Sequence, residues 1–499
     1  MLTEQGLAAR RSDQDGAQSS SRLERILDAP ARAAGTTEGR LLGILVVGSV
    51  AVVATAVWSP LLTVLVAAPL LAAVAALRPG WILAVALNGF FLYLVVLDLT
   101  DHAPRTRVTG TYYAVLGAVM AWAAWRHREV ILARVRARTR LFTLWTLATL
   151  ALAAWFLVNA ALFREGGTLA RNLAALLVLS SLPAAALSFG LTGARIAQLR
   201  VGLVALGLVL VVADLVAFVR GPAVEVGRFS PLEDLDPINA GLIPALAAVA
   251  AASFSPSSRR GYAAQAIAVA VLVAASLAPG SRGPVFSLVA AMLVLALLVW
   301  RWSALVPLAA IVVGLALGTA VSERLGTSEY FSQGVKDVVT EVAPRPKPAA
   351  TPAASPIPIS TFSMRKHWVK DAARAFPDQP IFGHGIATLR DTSPESRSLG
   401  YEPGLIYPHN DIAEAAFSLG LVGLLPFVAW LAIPGILLLL RRGRRYARYG
   451  LATGIFAFAF LQSNVSGEIG ADAALWSASA LAMALYLDDR RGQQLLKRT

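Results

Sequence analysis

The most constraining feature of this chain is a succession of long apolar blocks separated by short polar or basic segments. Helices in a water-soluble protein need a polar face, and most of these blocks are apolar all round, as helices surrounded by lipid are. Composition agrees, with 57% hydrophobic and 15% charged residues in 499. The expected fold class is an all-α polytopic membrane protein, because a helix of about 20 apolar residues spans the hydrocarbon core.

Apolar spans are predicted near 41–58, 60–77, 81–98, 109–125, 141–163, 170–190, 197–219, 239–254, 261–279, 284–300, 303–321, 421–440, 449–465 and 471–488. Residues 1–40 are polar, lack the apolar core of a signal peptide and are expected to form a disordered cytoplasmic tail. With that tail inside, the basic loops 126–140, 193–200, 257–261, 441–448 and 490–498 all fall on the cytoplasmic side. The net charge of +14 is therefore read as a topology signal, not as a nucleic-acid footprint. The expected order is tail 1–40, helices over 41–321, a large extracytoplasmic loop over 322–410, helices over 411–488 and a cytoplasmic tail at 489–499. Within the loop, 343–360 is a Pro/Ala-rich extended spacer and 364–376 suits a short helix at the membrane surface. The chain has no cysteine, so disulfides, thiolate catalysis and Cys-ligated metals are excluded.

The polar residues of the outer face are few and of one kind. Arg228 lies in the 220–238 loop, Asn239 opens a span, Arg282 sits in a Gly/Pro hairpin between two spans, and Arg365 begins an Arg-x-x-Trp pair with Trp368. Lys366, His367 and Lys370 read as surface charge. His409, one of only five histidines, precedes Asn410 and the apolar run 412–440. Asp411 with Glu414 resembles a capping box, which would start a helix there. The run from 412 would rise about 43 Å as a helix, against a hydrocarbon core of about 30 Å, so a short outer helix over 411–419 is expected to break at Gly420–Gly423. Those two glycines are read as a place of close backbone packing. Forked arginine donors hold a diphosphate when no metal is supplied, and an imidazole can take a proton from an attacking hydroxyl near neutral pH.

The series His409, Asn410, nine residues, Gly420, two residues, Gly423 resembles the signature of the O-antigen ligase superfamily, which also contains O-antigen polymerases and protein O-oligosaccharyltransferases. The Ser-Arg-Gly at 281–283, the Asp-Pro-Ile-Asn-Ala-Gly at 236–241, and Arg365-x-x-Trp368 followed by Pro-Ile-Phe-Gly-His-Gly at 380–385 are similar to further landmarks in the same order. The resemblance implies a GT-C-like fold in the bacterial cytoplasmic membrane; the spans and basic loops above give an expectation of about 12–14 helices with both termini cytoplasmic. It implies an undecaprenyl-diphosphate-linked glycan as donor, a lipid, glycan or protein as acceptor, and no metal or other cofactor. It assigns His409 as the catalytic base, Arg282, Arg228 and Arg365 to the diphosphate, and Asn410 and Asn239 to supporting roles. A ligase and a polymerase both fit. Transport is the reading from another class, with Asp214, an acidic residue inside an apolar span, as its residue of interest.

Overall fold

The structure, a computed structural model, describes residues 70–88, 105–137, 139–163, 167–220, 224–225, 228–229, 237–299, 302–325, 327, 361–389, 409–440, 446–466 and 469–496. The expected tail 1–40, the span 41–58, most of 60–77, the second half of 81–98 and the spacer 343–360 lie outside these residues.

The rest is an all-α integral membrane bundle. Its helices are α1 (Pro79–Leu87), α2 (Arg105–Arg126), α3 (Arg128–Arg136), α4 (Arg140–Leu162), α5 (Gly167–Leu176), α6 (Leu182–Gly190), α7 (Gly193–Arg220), α8 (Pro237–Ala252), α9 (Arg259–Leu277), α10 (Arg282–Val299), α11 (Trp302–Arg324), α12 (Thr361–Ala375), α13 (Asp411–Leu440), α14 (Tyr446–Ser466) and α15 (Ala473–Leu496). Among the described residues, six stretches are long and apolar enough to cross a membrane: Arg140–Leu162, Gly167–Gly190, Gly193–Val216, Arg259–Leu277, Leu305–Arg324 and Asp411–Leu440. The shorter apolar helices Ile238–Ala252 and Arg282–Leu298 accompany them. α15 continues the helix to Leu496, where a tail had been expected from 489.

Burial sorts the helices by position. α8 is enclosed on all sides, with Ala245 to Ala252 each at most 2% exposed, and its small side chains let α7, α9 and α10 close around it. α4 is two-faced: Leu144, Leu147 and Leu150 look outward, whereas Leu152 and Phe156 are buried. A second core joins α4, α5, α13 and α15 around Trp430 and Trp476, whose ring centroids are 4.5 Å apart. α5 and α6 run on through a wide π-helical turn at Leu177–Ser181, just before Pro183, whose ring nitrogen has no hydrogen to donate to the ladder.

The two ends of the bundle differ. At the end carrying Arg134 and Asp488, the guanidinium pairs with both carboxylate oxygens at 2.9 and 2.7 Å and donates to the carbonyls of Phe189 and Leu191. This buried fork, with four hydrogen bonds, ties α3, α6 and α15 together. At the other end, a two-stranded hairpin, β1 (Val224–Glu225) and β2 (Arg228–Phe229), follows α7, and α12 packs on α13.

Candidate functional site

Construction of the site begins with the break in α13. Gly420 adopts φ 60° and ψ −166°, a backbone region open essentially to glycine alone. The expected close packing is thus only part of its role: the glycine turns the chain. A break at this level leaves carbonyls and N–H groups without helical partners. The turn over 380–385 supplies them. Leu421 and Val422 donate N–H bonds to the carbonyls of Pro380 and Ile381 at 2.8 and 3.1 Å, and His384 and Gly385 donate to Phe417 and Ser418 at 2.9 and 3.1 Å. From α4, Trp155 Nε1 donates to the Leu419 carbonyl at 2.8 Å. Asn159 Nδ2 donates to Ser418 at 3.0 Å, while its Oδ1 accepts from Ile386 N at 2.9 Å. The Gly-His-Gly turn and the glycine break are one object, joined by backbone hydrogen bonds made inside the protein.

The break positions the first section of α13 and hence its N-terminus. The cap there differs from the expected Asp411–Glu414 box. Asn410 is the cap: its Oδ1 accepts from Ala413 N at 2.8 Å, and its carbonyl accepts from Glu414 N at 2.8 Å. Asp411 is instead the first helical residue and is fully buried, and Glu414 Oε2 reaches Ile469 N at 3.4 Å. Two carboxylates in the first turn suit the positive end of the helix dipole. The remaining side of Asn410 is used as well, since Nδ2 donates to the carbonyl of Asn464 on α14 at 3.1 Å.

The end of α14 is where Arg365, Asn410 and the start of α10 come together. Arg365 Nη1 donates to the Val465 carbonyl at 2.6 Å, one residue from the acceptor of Asn410. At the start of α10, a Cβ placed on Gly283 would lie 3.3 Å from Val465 Cγ1, which puts its neighbour Arg282 at the same end. Ser287 on the next turn donates to Gln462 Oε1 at 3.2 Å. Asn239 lies in the first turn of α8, half-buried, and a Cβ on nearby Gly241 would meet Pro284 Cγ at 3.4 Å. Arg228 is on β2, paired in register with Glu225, and its side chain lies outside the described residues.

His409 occupies the centre. Its backbone takes φ 51°, unusual for a residue with a side chain and a mark of strain held by its surroundings. The imidazole stacks on Trp368 with centroids 5.3 Å apart and planes 23° apart. Burial, and then the positive charge of Arg365, push its pKa down from 6.5 to about 3, so the ring is neutral and carries an acceptor nitrogen at physiological pH. Trp368 itself is buried in a small apolar group with Ala372, Leu389 and Phe417. Phe417 stacks in turn on His384, 4.7 Å centroid to centroid. An aromatic column thus runs from His409 to the turn that plugs the helix break.

Sequence reading alone did not give Trp368 or Asn159 a role. The spacing of Arg365 and Trp368 was the available signal for the first, since residues three apart share a helix face. For the second it was a lone amide near the outer end of an apolar span. Asp214, on α7, is buried, and neither of its carboxylate oxygens accepts a hydrogen bond from the described residues. No group of three or more metal-ligating side chains occurs among the described residues.

No curated protein matches the chain. Residues 266–428 match the family model described as O-Antigen ligase, Wzy_C. The matched stretch runs from α9 past the break in α13, so it takes in Arg282, Arg365, the Gly-His-Gly turn, His409, Asn410, Gly420 and Gly423. Arg228 and Asn239 precede it. Over this region the chain is similar to the O-antigen ligase family.

Proposed function

We propose that this protein transfers a glycan from undecaprenyl diphosphate to an acceptor hydroxyl at the outer face of the bacterial cytoplasmic membrane. The reading rests chiefly on the placing of His409, stacked on Trp368 and held in the field of Arg365 beside the α10 terminus that carries Arg282. The diphosphate would be held by Arg282, Arg365 and Arg228, with the positive N-terminal end of α10 adding to the attraction. The acceptor hydroxyl attacks the anomeric carbon from the face opposite the diphosphate, and His409 takes its proton. The bond from that carbon to the diphosphate oxygen breaks, the electron pair leaves with the lipid diphosphate, and the configuration inverts. Positive donors already in place stabilise the charge developing on the leaving group.

A pKa near 3 makes a weak base, and the arrangement contains its own remedy. Part of the depression comes from Arg365. A bound diphosphate brings negative charge to that guanidinium and offsets its field, so His409 gains basicity when the donor is in place. Asn410 holds the entry to α13 against α14 and thereby fixes the backbone on which His409 sits.

Single transfer by a ligase is the favoured form; repeated addition by a polymerase uses the same chemistry. Reconstituted protein given lipid-diphosphate oligosaccharide, an envelope fraction and a chelator distinguishes them by gel and mass spectrometry. One step indicates a ligase and a ladder indicates a polymerase. Solute uptake with no donor consumed would replace the enzyme reading by transport and turn attention to Asp214.

A further inference from the structure

The turn over 380–385 lies outside the spanning helices in sequence, yet two of its residues are large, apolar and exposed: Ile381 at 55% and Phe382 at 56%. In a loop bathed in water, two such neighbours would be unfavourable. Their surroundings are not those of a water-bathed loop. Phe382 packs against Trp155 of α4, with ring centroids 5.8 Å apart, and Ile381 is bonded through its carbonyl to Val422 of α13. The nearby outward residues Leu421, Val422 and Leu425 are also exposed apolar side chains, and they continue down α13 as Val428. The turn therefore prolongs the apolar belt of two spanning helices.

Two independent rulers give its level. On α13, the 20 residues from Leu421 to Leu440 rise about 30 Å, the thickness of a hydrocarbon core, and end against the basic run Arg441, Arg442, Arg444 and Arg445. On α4, Trp155 stands about 22 Å above Arg140, which follows the basic residues Arg136 and Arg138. Helix tilt shortens both rises along the membrane normal. Measured from the basic ends, both rulers put the turn at or inside the outer boundary of the hydrocarbon.

We infer that Pro380–Gly385 is a re-entrant turn that dips back into the outer leaflet and presents Ile381 and Phe382 to the acyl chains of membrane lipid. The backbone bonds to the break in α13 and to α4 make this possible, since irregular backbone at that depth survives only where the protein satisfies it. The occupant of the surface is lipid hydrocarbon, because the patch is continuous with the lipid-facing sides of α4 and α13 and carries no charge. One consequence is that the column His384, Phe417, Trp368 and His409 is tied at its lower end to the bilayer surface.

The absence of cysteine makes the test direct. Phe382→Cys and Lys370→Cys, the latter on the exposed face of α12, are each labelled with an environment-sensitive fluorophore and reconstituted in phosphatidylcholine vesicles without any glycan donor. Some vesicles carry a spin-label quencher on the acyl chains, and others face aqueous iodide. The label at 382 is expected to be quenched several-fold more by the acyl-chain quencher than by iodide, with the order reversed at 370. Ile381→Cys provides the same reading should the 382 variant fail to fold. Equal iodide quenching at 382 and 370 would overturn the inference. Protection of 382 from both quenchers would also overturn it, because protein and not lipid would then cover the turn. Neither result depends on glycan transfer, so the functional reading stands or falls separately.

Discussion

Gly383 and Gly420 meet backbone to backbone: a Cβ added to Gly420 would lie 2.4 Å from Gly383 N, and one added to Gly383 would lie 2.4 Å from the Ser418 carbonyl oxygen. Both residues have positive φ, 78° and 60°. Two separated glycine motifs are thereby one structural requirement.

Gly420→Ala should accordingly be destabilising in its own right. The backbone region alone costs a side-chain-bearing residue about 1–3 kcal/mol, and the clash with Gly383 adds to it. Thermal unfolding in detergent is expected to show a clearly lower midpoint, whereas Gly435→Ala, further along α13 and open to 3.4 Å from Phe456, should fall close to the parent.

Asn159 bridges the same junction with both ends of its amide. Asn159→Leu leaves the buried Ile386 N–H without its acceptor, at an expected cost of about 1–3 kcal/mol. The same thermal assay reads it. A stability equal to the parent would show that the amide is not needed to hold the turn.

Trp368 stacks on His409, and in the proposed transfer it is a positioning residue. Trp368→Ala should lower kcat by about 10²-fold with a smaller change in KM, because a base displaced by an ångström loses its alignment. Trp368→Phe keeps a flat ring in place and should recover most of the rate. Equal losses in both variants would point to the fold and not to the orientation of the imidazole.

The pH dependence follows from the sign of the His409 shift. Its folded pKa of about 3 lies below the ordinary 6.5, so the uncharged ring is favoured by folding. That contribution is complete above about 6.5 and is lost progressively as the pH falls toward about 3. Activity that needs the neutral base should therefore lack an acid limb near pH 6 in kcat/KM. Arg365→Gln removes a positive charge from beside the ring, and the acid limb should move to higher pH. An unmoved limb, whatever the residual rate, would show that Arg365 does not govern this histidine.

Much of the fold was legible because lipid imposes so simple a rule: apolar length alone announces a spanning helix, and the break in α13 followed from a run too long for one bilayer. Position 409 stood out because an imidazole beside an amide at a helix start has few structural reasons to exist in so apolar a chain. The cap was not legible. Asn and Asp are equally good at that position, and only the path of the chain decides that Asn410 closes the helix while Asp411 is buried inside its first turn. Nor was the partnership of Gly383 with Gly420, since local sequence announces conformational freedom but not which distant backbone will use it. The tie from Arg365 and Asn410 to the carbonyls of Val465 and Asn464 was hidden for the same reason: a main-chain acceptor leaves no trace in the residue type.

The most direct measurement of the central claim is the rate of glycan transfer by His409→Ala against the parent, with reconstituted protein, saturating lipid-diphosphate donor and chelator present. Donor binding is followed in parallel. A general base contributes about 10²–10⁴-fold, so the variant should lose that much in kcat while still binding the donor. A variant that transfers glycan at the parental rate would contradict the account, since the residue at the centre of the site would then take no part in moving the proton.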